Sequence, residues 1–405
     1  MYLKVLLIVV LMMNSLNTPL RLRRFTWLIL LASAYISLRA VLDYVRGVNI
    51  IEGGRVAGAV KGIFGNPNDL ALNMVALMPF AALLALLALK RPLAPAPSRV
   101  TGRGKKTPGA DAGPGTRARG TSRSPGQPSL TLPRLAAAAI VLIMLLAVVF
   151  TKSRSGFLGL AAMMAVLVYY GQRLKPGVAT VALVLLVALL PLLPSSFWAR
   201  MSSITDESAD ATGSRSARRQ VAIEAVDVFL ERPFTGIGPG QFKNYNPPGR
   251  VERWREAHNV WLQVASETGL FGLLAFLYLV VSAFRAAFWS RSQLQQFLRT
   301  GTTSGTARRG RRAGHAREDA VSPPAFVAES TDLGILRLQA TALVPSLVGW
   351  FVCAMFASVA YNWTFYYLLG LCIATRVLTR DAIAARITAA APPRSDALPR
   401  QVLAS

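Results

Sequence analysis

The sequence predicts an all-α fold: a polytopic transmembrane helix bundle of about nine spans, with a partly helical loop on its outer side. Three observations predict it. Of the 405 residues, 53% are hydrophobic. They gather into runs close to the roughly twenty residues that cross a hydrocarbon core. The segments between the runs alternate between strongly basic and nearly balanced, as cytoplasmic and external loops do.

In chain order the runs are Lys4–Met13 (short), Phe25–Leu42, Leu70–Leu89, Leu135–Phe150, Phe157–Tyr170, Val178–Leu193, Val260–Ala283, Leu338–Ala357 and Trp363–Leu378. Backbone groups in lipid must bond within their own segment, so each run reads as a helix and none as an open strand. No fixed period recurs, which sets repeat architectures aside. The runs divide the chain into N-terminal spans (1–89), a basic loop (90–134), a core (135–283) with a long loop (195–258), a second basic loop (284–334), C-terminal spans (335–380) and a tail (381–405). Charge bias places 15–24, 90–134, 171–177, 284–334 and the tail inside. It places 46–68, 151–156, 195–258 and 358–362 outside. This order starts the first run on the outside, so further helices are expected ahead of Met1.

The net charge of +26 suggests a nucleic-acid partner, and its distribution excludes one. Lys90–Arg134 carries ten basic residues against one acid, Asp111, whereas Ser195–His258 carries nine against eight. The excess therefore orients the chain and attracts anionic membrane lipid. Pro92–Pro133 and Thr300–Pro324 are rich in Pro, Gly, Ser, Arg and Thr, and are expected to be disordered linkers because they cannot bury enough apolar surface. Cys353 and Cys372 both fall within runs and offer neither an external disulfide nor metal-ligand spacing.

Polar groups close to hydrocarbon are costly and usually serve a site; an Arg at mid-bilayer costs roughly 2.5–3.5 kcal/mol on insertion scales. Thr151-Lys152-Ser153-Arg154-Ser155-Gly156 separates two apolar runs at the outer mouth. The forked guanidinium of Arg154 matches phosphate oxygens at two points, Ser153 and Ser155 add donors, and Gly156 permits close approach. The start of the next helix also favours an anion. The plainer alternative is an interfacial arginine that reaches up to lipid headgroups.

In the loop, Arg215–Glu231 reads as a helix whose polar stripe is Gln220, Glu224, Asp227 and Glu231. At 100° per residue Arg218 points about 145° from the centre of that stripe, on the apolar side with Ala222, Ala225 and Phe229. Arg218 is thus turned toward the membrane part, with Arg219 nearer the flank. Pro233 stops the helix, and Gly236, Gly238 and Gly240 allow a tight loop.

His258-Asn259 stands at the outer end of the next span; a neutral imidazole can accept a proton there, or cap the helix. Glu267 lies nine residues on, on the opposite side of an uninterrupted helix from His258. Gly269 and Gly272 fit close helix packing. Gly65-Asn66-Pro67-Asn68-Asp69 caps the third span, with Asn68 or Asp69 as the capping residue or as a contact for a polar head group.

In order, spacing and side of the membrane, these motifs resemble the O-antigen ligase and polymerase family of polytopic membrane glycosyltransferases. The likeness rests on Asn66-Pro67-Asn68, Thr151–Gly156, Arg232-Pro233-Phe234-Thr235-Gly236-Ile237-Gly238-Pro239-Gly240, and His258-Asn259 with Glu267-Thr268-Gly269. It is strongest from about Leu135 to Ala283.

The resemblance implies transfer of a glycan from a polyprenyl-diphosphate carrier to an acceptor hydroxyl at the outer leaflet. The acceptor would be lipid A core for a ligase or another lipid-linked glycan for a polymerase. It implies a bacterial inner-membrane protein with its site facing the periplasm, and neither metal nor nucleotide cofactor. Arg154, Arg218 and His258 would be catalytic: Arg154 gripping the diphosphate, Arg218 being the loop-helix arginine, and His258 positioning or deprotonating the acceptor. Ser153, Ser155, Asn68, Asn259, Arg215 and Arg219 would bind substrate. Arg215 and Arg219 stand as substitutes for Arg218, since Ala222 occupies the place where a Trp often follows the loop arginine. A transporter of lipid-linked glycan is the alternative from another class; it should show internal repeats and helices broken near mid-membrane.

Overall fold

The computed structural model describes residues 2–51, 53–59, 64–86, 132–172, Trp198, 214–248, Arg250, 255–311 and 331–390. Among them are nine helices and one small hairpin. In chain order they are α1 (Tyr2–Ser15), α2 (Pro19–Val45), β1 (Ile50–Ile51), β2 (Arg55–Val56), α3 (Pro67–Leu86), α4 (Leu132–Thr151) and α5 (Arg154–Gln172). Then follow α6 (Ser214–Glu231), α7 (Val260–Arg311), α8 (Thr331–Ala354) and α9 (Trp363–Ala390). The run Val178–Leu193 and most of the linker 90–134 lie outside the described residues. The helix α7 continues past Thr300, into the stretch expected to be unstructured.

The fold is the expected all-α membrane bundle. Five helices, α2, α3, α4, α7 and α8, are long and apolar enough to cross a membrane, and Lys4–Ser15 and Arg154–Tyr170 are shorter apolar helices. The centre is formed by α3 and α8: 78% of their apolar windows is buried, against 28–33% in α2, α4 and α7. The outer three present Leu28, Leu31, Leu142, Phe271, Leu274 and Tyr278 outward, the face a bilayer would cover.

Lipid is as apolar as leucine, so helices in a membrane associate through close packing rather than through a hydrophobic gain. Glycines provide that packing here. A methyl group at Gly349 on α8 would stand 2.8 Å from Val75 of α3 and 3.0 Å from Met163 of α5. One at Gly159 on α5 would collide with the sulfur of Cys353. Trp350 of α8 stacks on Phe365 of α9 at 4.5 Å, extending the core toward α7 and α9.

Two caps set where the helices begin. The Thr18 hydroxyl accepts from the Arg21 amide at 3.2 Å, with Pro19 following it in the first turn of α2. At α3 the cap is Asn66, not Asn68 or Asp69: the Asn66 Oδ1 accepts from the Asn68 amide at 2.9 Å, and Pro67 opens the helix. Pro67 needs no amide partner there. The shift of two residues leaves the Asn68 side chain available for other contacts.

Candidate active site

The turn between α4 and α5 holds the Arg154 motif. Lys152 takes a left-handed φ of 46° to reverse the chain. The Ser153 hydroxyl accepts from the Gly156 amide at 3.1 Å and so caps α5. It also donates to Asn68 Oδ1 at 2.8 Å and lies 3.1 Å from the Ser155 hydroxyl. Gly156 has a different use from the one expected. A Cβ there would stand 2.6 Å from that of Ala71, so the missing side chain admits α3.

The hairpin β1–β2 folds over this turn. Arg55 on β2 donates through Nη2 to Asn68 Oδ1 at 2.9 Å and through Nε to the Thr151 carbonyl at 3.1 Å. Lys152 is buried beside it, its ammonium 3.0 Å from where a Cβ on Gly54 would sit and 6.0 Å from the centre of the Tyr44 ring. Segments 46–68 and 151–156, both assigned to the outer side by charge, thus meet as one unit.

The second unit is built on the loop helix α6. Its buried face is Val221, Ala225 and Val228, packed on Phe242 and Ala257. Arg218 precedes Val221 by three residues on that face and is half-buried, whereas Arg219 is exposed. Arg215 lies within α6, and its side chain is outside the described residues. Of the face predicted from the polar stripe only Ala225 is buried; Arg218, Ala222 and Phe229 are half-buried, and the packed face is turned toward Val221 and Val228, with Glu224 of the stripe held by Arg250.

His258 is held in a left-handed conformation, φ 50°, with its amide donating to the Ser358 hydroxyl at 2.9 Å. Asn259 caps α7: its Oδ1 accepts from the amides of Trp261 at 2.9 Å and Leu262 at 3.2 Å, and its Nδ2 donates to the Met355 carbonyl at 3.1 Å. These contacts seat the histidine on the C-terminal end of α8. The same end of α8 reaches the Arg154 turn, since Cys353 Sγ donates to the Ser155 carbonyl at 3.3 Å.

Electrostatics joins the two units. Burial, followed by the positive charges of Arg218, Arg255 and Arg55, pushes the His258 imidazole down to about 4 from its ordinary value of 6.5. Positive charges from three different elements therefore act on one buried imidazole. Burial raises the carboxyl of Glu256, two residues earlier, while Lys243 pulls it down.

Glu267 has a structural task. Its carboxylate accepts from the amides of Gly240 at 2.8 Å and Phe242 at 3.1 Å. The Arg232–Gly240 run docks on the same stretch of α7. Ile237 and Gly238 donate to the carbonyls of Ser266 and Glu267 at 3.1 and 2.9 Å, and Leu270 donates to that of Pro233 at 2.7 Å. Gly269 breaks the helix there at φ 65°, ψ −165°, and a Cβ on it would stand 2.4 Å from the Phe234 carbonyl. Gly269 thus serves contact between α7 and the loop, where packing between helices was expected.

Four residues of this region were not singled out from the sequence: Arg55, Arg255, Glu256 and Arg250. Arg250 holds the outer loop. It pairs with Glu224 at 3.1 Å, donates to the carbonyls of Phe242 at 2.6 Å, Arg255 at 3.2 Å and Tyr245, and lies 4.4 Å from the Phe242 ring centre. The signal for it was weak: one arginine in a Pro-Gly-Arg turn, with no helical period to give it a face.

Residues 139–277 match the family model described as O-Antigen ligase. The match runs from α4 through α6 into the first half of α7 and contains Arg154, Arg218 and His258. Arg55, Asn68 and Ser358 lie outside it. No curated protein and no solved structure matches the chain. The resemblance read from the motifs is borne out over that stretch. The chain is an integral membrane protein, and its residues 139–277 are similar to the O-antigen ligase family.

Proposed function

We propose that this chain moves a glycan from a polyprenyl-diphosphate carrier to an acceptor hydroxyl at the outer mouth of the bundle. The donor enters sideways from the outer leaflet, and the acceptor is lipid A core or a second glycan. The membrane is the bacterial inner membrane and the site faces the periplasm. The observation that carries this reading is that the loop bearing His258 and the Arg154 turn are seated on the same end of α8, with the charges of Arg218, Arg255 and Arg55 acting on the imidazole.

The chemistry needs two kinds of group. The acceptor oxygen attacks the anomeric carbon as the bond from that carbon to the diphosphate oxygen breaks. The leaving diphosphate keeps the electron pair, and its growing charge is stabilised by the fixed cations Arg154 and Arg218. The hydroxyl proton passes to His258, which is neutral at pH 7 and so able to receive it. Ser153, Ser155 and Asn68 line the donor side next to Arg154, and Asn259 fixes the backbone that carries His258.

Deleting the gene and separating the surface glycans on a gel tests this reading. Loss of all long chains from the lipid anchor, with lipid-linked polymer accumulating, marks ligation. Retention of a single repeat on the anchor marks polymerisation. An unchanged glycan profile overturns the proposal.

A further inference from the structure

Helix α6 is apolar on two opposite sides, and the packed face of Val221, Ala225 and Val228 accounts for only one of them. At 100° per residue, Ile223, Val226 and Leu230 fall within about 60° of one another, centred about 165° from that packed face. All three are exposed, Leu230 to 67%. Phe234, just past the end of the helix, continues the stripe and is 59% exposed. The polar positions Gln220, Glu224, Asp227 and Glu231 lie to one side of it, about 100° round the helix. Contiguous exposed apolar surface of this kind marks a contact with lipid or with protein.

The neighbouring helix α7 decides between the two. From Val260 to Gly269 no residue of α7 is exposed. Beyond the break at Gly269, Leu270, Phe271, Leu274 and Tyr278 all face outward, on the side that a bilayer covers. The ring of Phe234 lies 6.0 Å from that of Phe271, so the stripe of α6 joins the outer end of this band. Arg219, exposed at the far end of the stripe, is long enough to reach up to headgroup phosphates. We infer that α6 is an interfacial helix. It lies along the outer leaflet with Ile223, Val226, Leu230 and Phe234 immersed among lipid chains and its polar stripe turned toward water. The inference needs only that the bundle sits in a bilayer, and it stands whether or not the glycan-transfer reading does. On that reading, Arg218, on the half-buried flank between the packed face and the stripe, meets a donor that never leaves the leaflet.

Cys353 and Cys372 are buried, so a cysteine introduced on the surface of α6 can carry a fluorophore without competition from them. Leu230→Cys and Ile223→Cys are labelled in the full-length protein and reconstituted in vesicles of phosphatidylethanolamine and phosphatidylglycerol. Phe271→Cys gives the lipid-facing reference and Asp227→Cys the water-facing one. All four positions are exposed, so the substitutions leave the core untouched, and Val226→Cys replaces either α6 site that fails to fold. Lipid brominated in its acyl chains should quench both α6 labels to within about twofold of the Phe271 label. Aqueous iodide should quench them less than the Asp227 label. Iodide quenching at Leu230 and Ile223 equal to that at Asp227, without quenching by lipid, overturns the inference. Quenching by neither agent, as a second copy of the chain or another protein on the stripe would give, overturns it too. So does lipid quenching at Leu230 alone, the result for a helix standing upright out of the membrane.

Discussion

The Ser153 hydroxyl donates to Asn68 Oδ1 across 2.8 Å, joining two turns that are 85 residues apart in the chain. The same oxygen accepts from Arg55. One amide oxygen thus sets the position of the Arg154 turn relative to the hairpin.

Asn68→Ala removes that acceptor and leaves both donors to find other partners. Transfer should fall about ten- to a hundredfold, as expected for a lost hydrogen bond to a charged group. Asn68→Asp keeps an acceptor in place and should recover most of the activity. Quantifying surface glycan in cells complemented with each variant checks this; equal activity in the two variants would remove Asn68 from the account.

Gly269→Ala should unfold the junction between the Pro233–Gly240 loop and α7. The native backbone at φ 65°, ψ −165° belongs almost entirely to glycine, and the added methyl would sit 2.4 Å from the Phe234 carbonyl. The strain alone amounts to about 1–3 kcal/mol, before the steric clash. A lower thermal midpoint of the purified protein in detergent, together with new proteolytic cleavage between 232 and 258, is the expected reading.

Arg250→Ala should destabilise the outer loop by about 3–5 kcal/mol, since it removes a buried ion pair with Glu224 and the hydrogen bonds to three carbonyls in a site where the Arg250 side chain is 3% exposed. Arg218→Ala should instead leave the thermal midpoint within about 1 kcal/mol of the parent and remove transfer. Measuring both midpoints and both activities separates an arginine that holds the loop from one that faces the substrate.

His258 sets a pH dependence whose sign follows from its depressed value. The folded protein releases its proton near pH 4, whereas the unfolded chain releases it near 6.5. Between those values the unfolded state binds more protons, so the contribution to stability is complete above about 6.5 and is lost as pH falls toward 4. The thermal midpoint of the substrate-free protein should drop more steeply from pH 7 to 4.5 than that of His258→Gln. Identical slopes would show that the imidazole is not held neutral.

The all-α bundle and the loop helix were legible because each rests on a period: apolar runs of spanning length, and a polar stripe at helical spacing. The packed face of α6 was not, because Glu224 of that stripe is drawn inward by Arg250. Arg154 and His258 stand out in the sequence through characteristic neighbours, Arg218 only through its spacing from Pro233. Arg55 does not stand out. It lies on a strand of two residues, too short for any alternation, and gains its place only when Asn68 and Thr151 come together. The Asn66 cap was misplaced by two residues because Asn66, Asn68 and Asp69 are all good capping residues, and Pro67 at the first helical position decided among them. Gly269 was taken for a helix-packing residue because a docking loop thirty residues away leaves no periodic mark.

The most direct test is in vitro transfer by the purified full-length protein from undecaprenyl-diphosphate-linked glycan to a hydroxyl acceptor, comparing the parent with Arg154→Ala, Arg154→Lys, His258→Ala and Arg312→Ala. The first three should retain the fold and lose transfer, with Arg154→Lys failing because an ammonium cannot grip a diphosphate at two points. Arg312→Ala, in the basic linker, should match the parent. Full transfer by folded Arg154→Ala or His258→Ala would contradict the account.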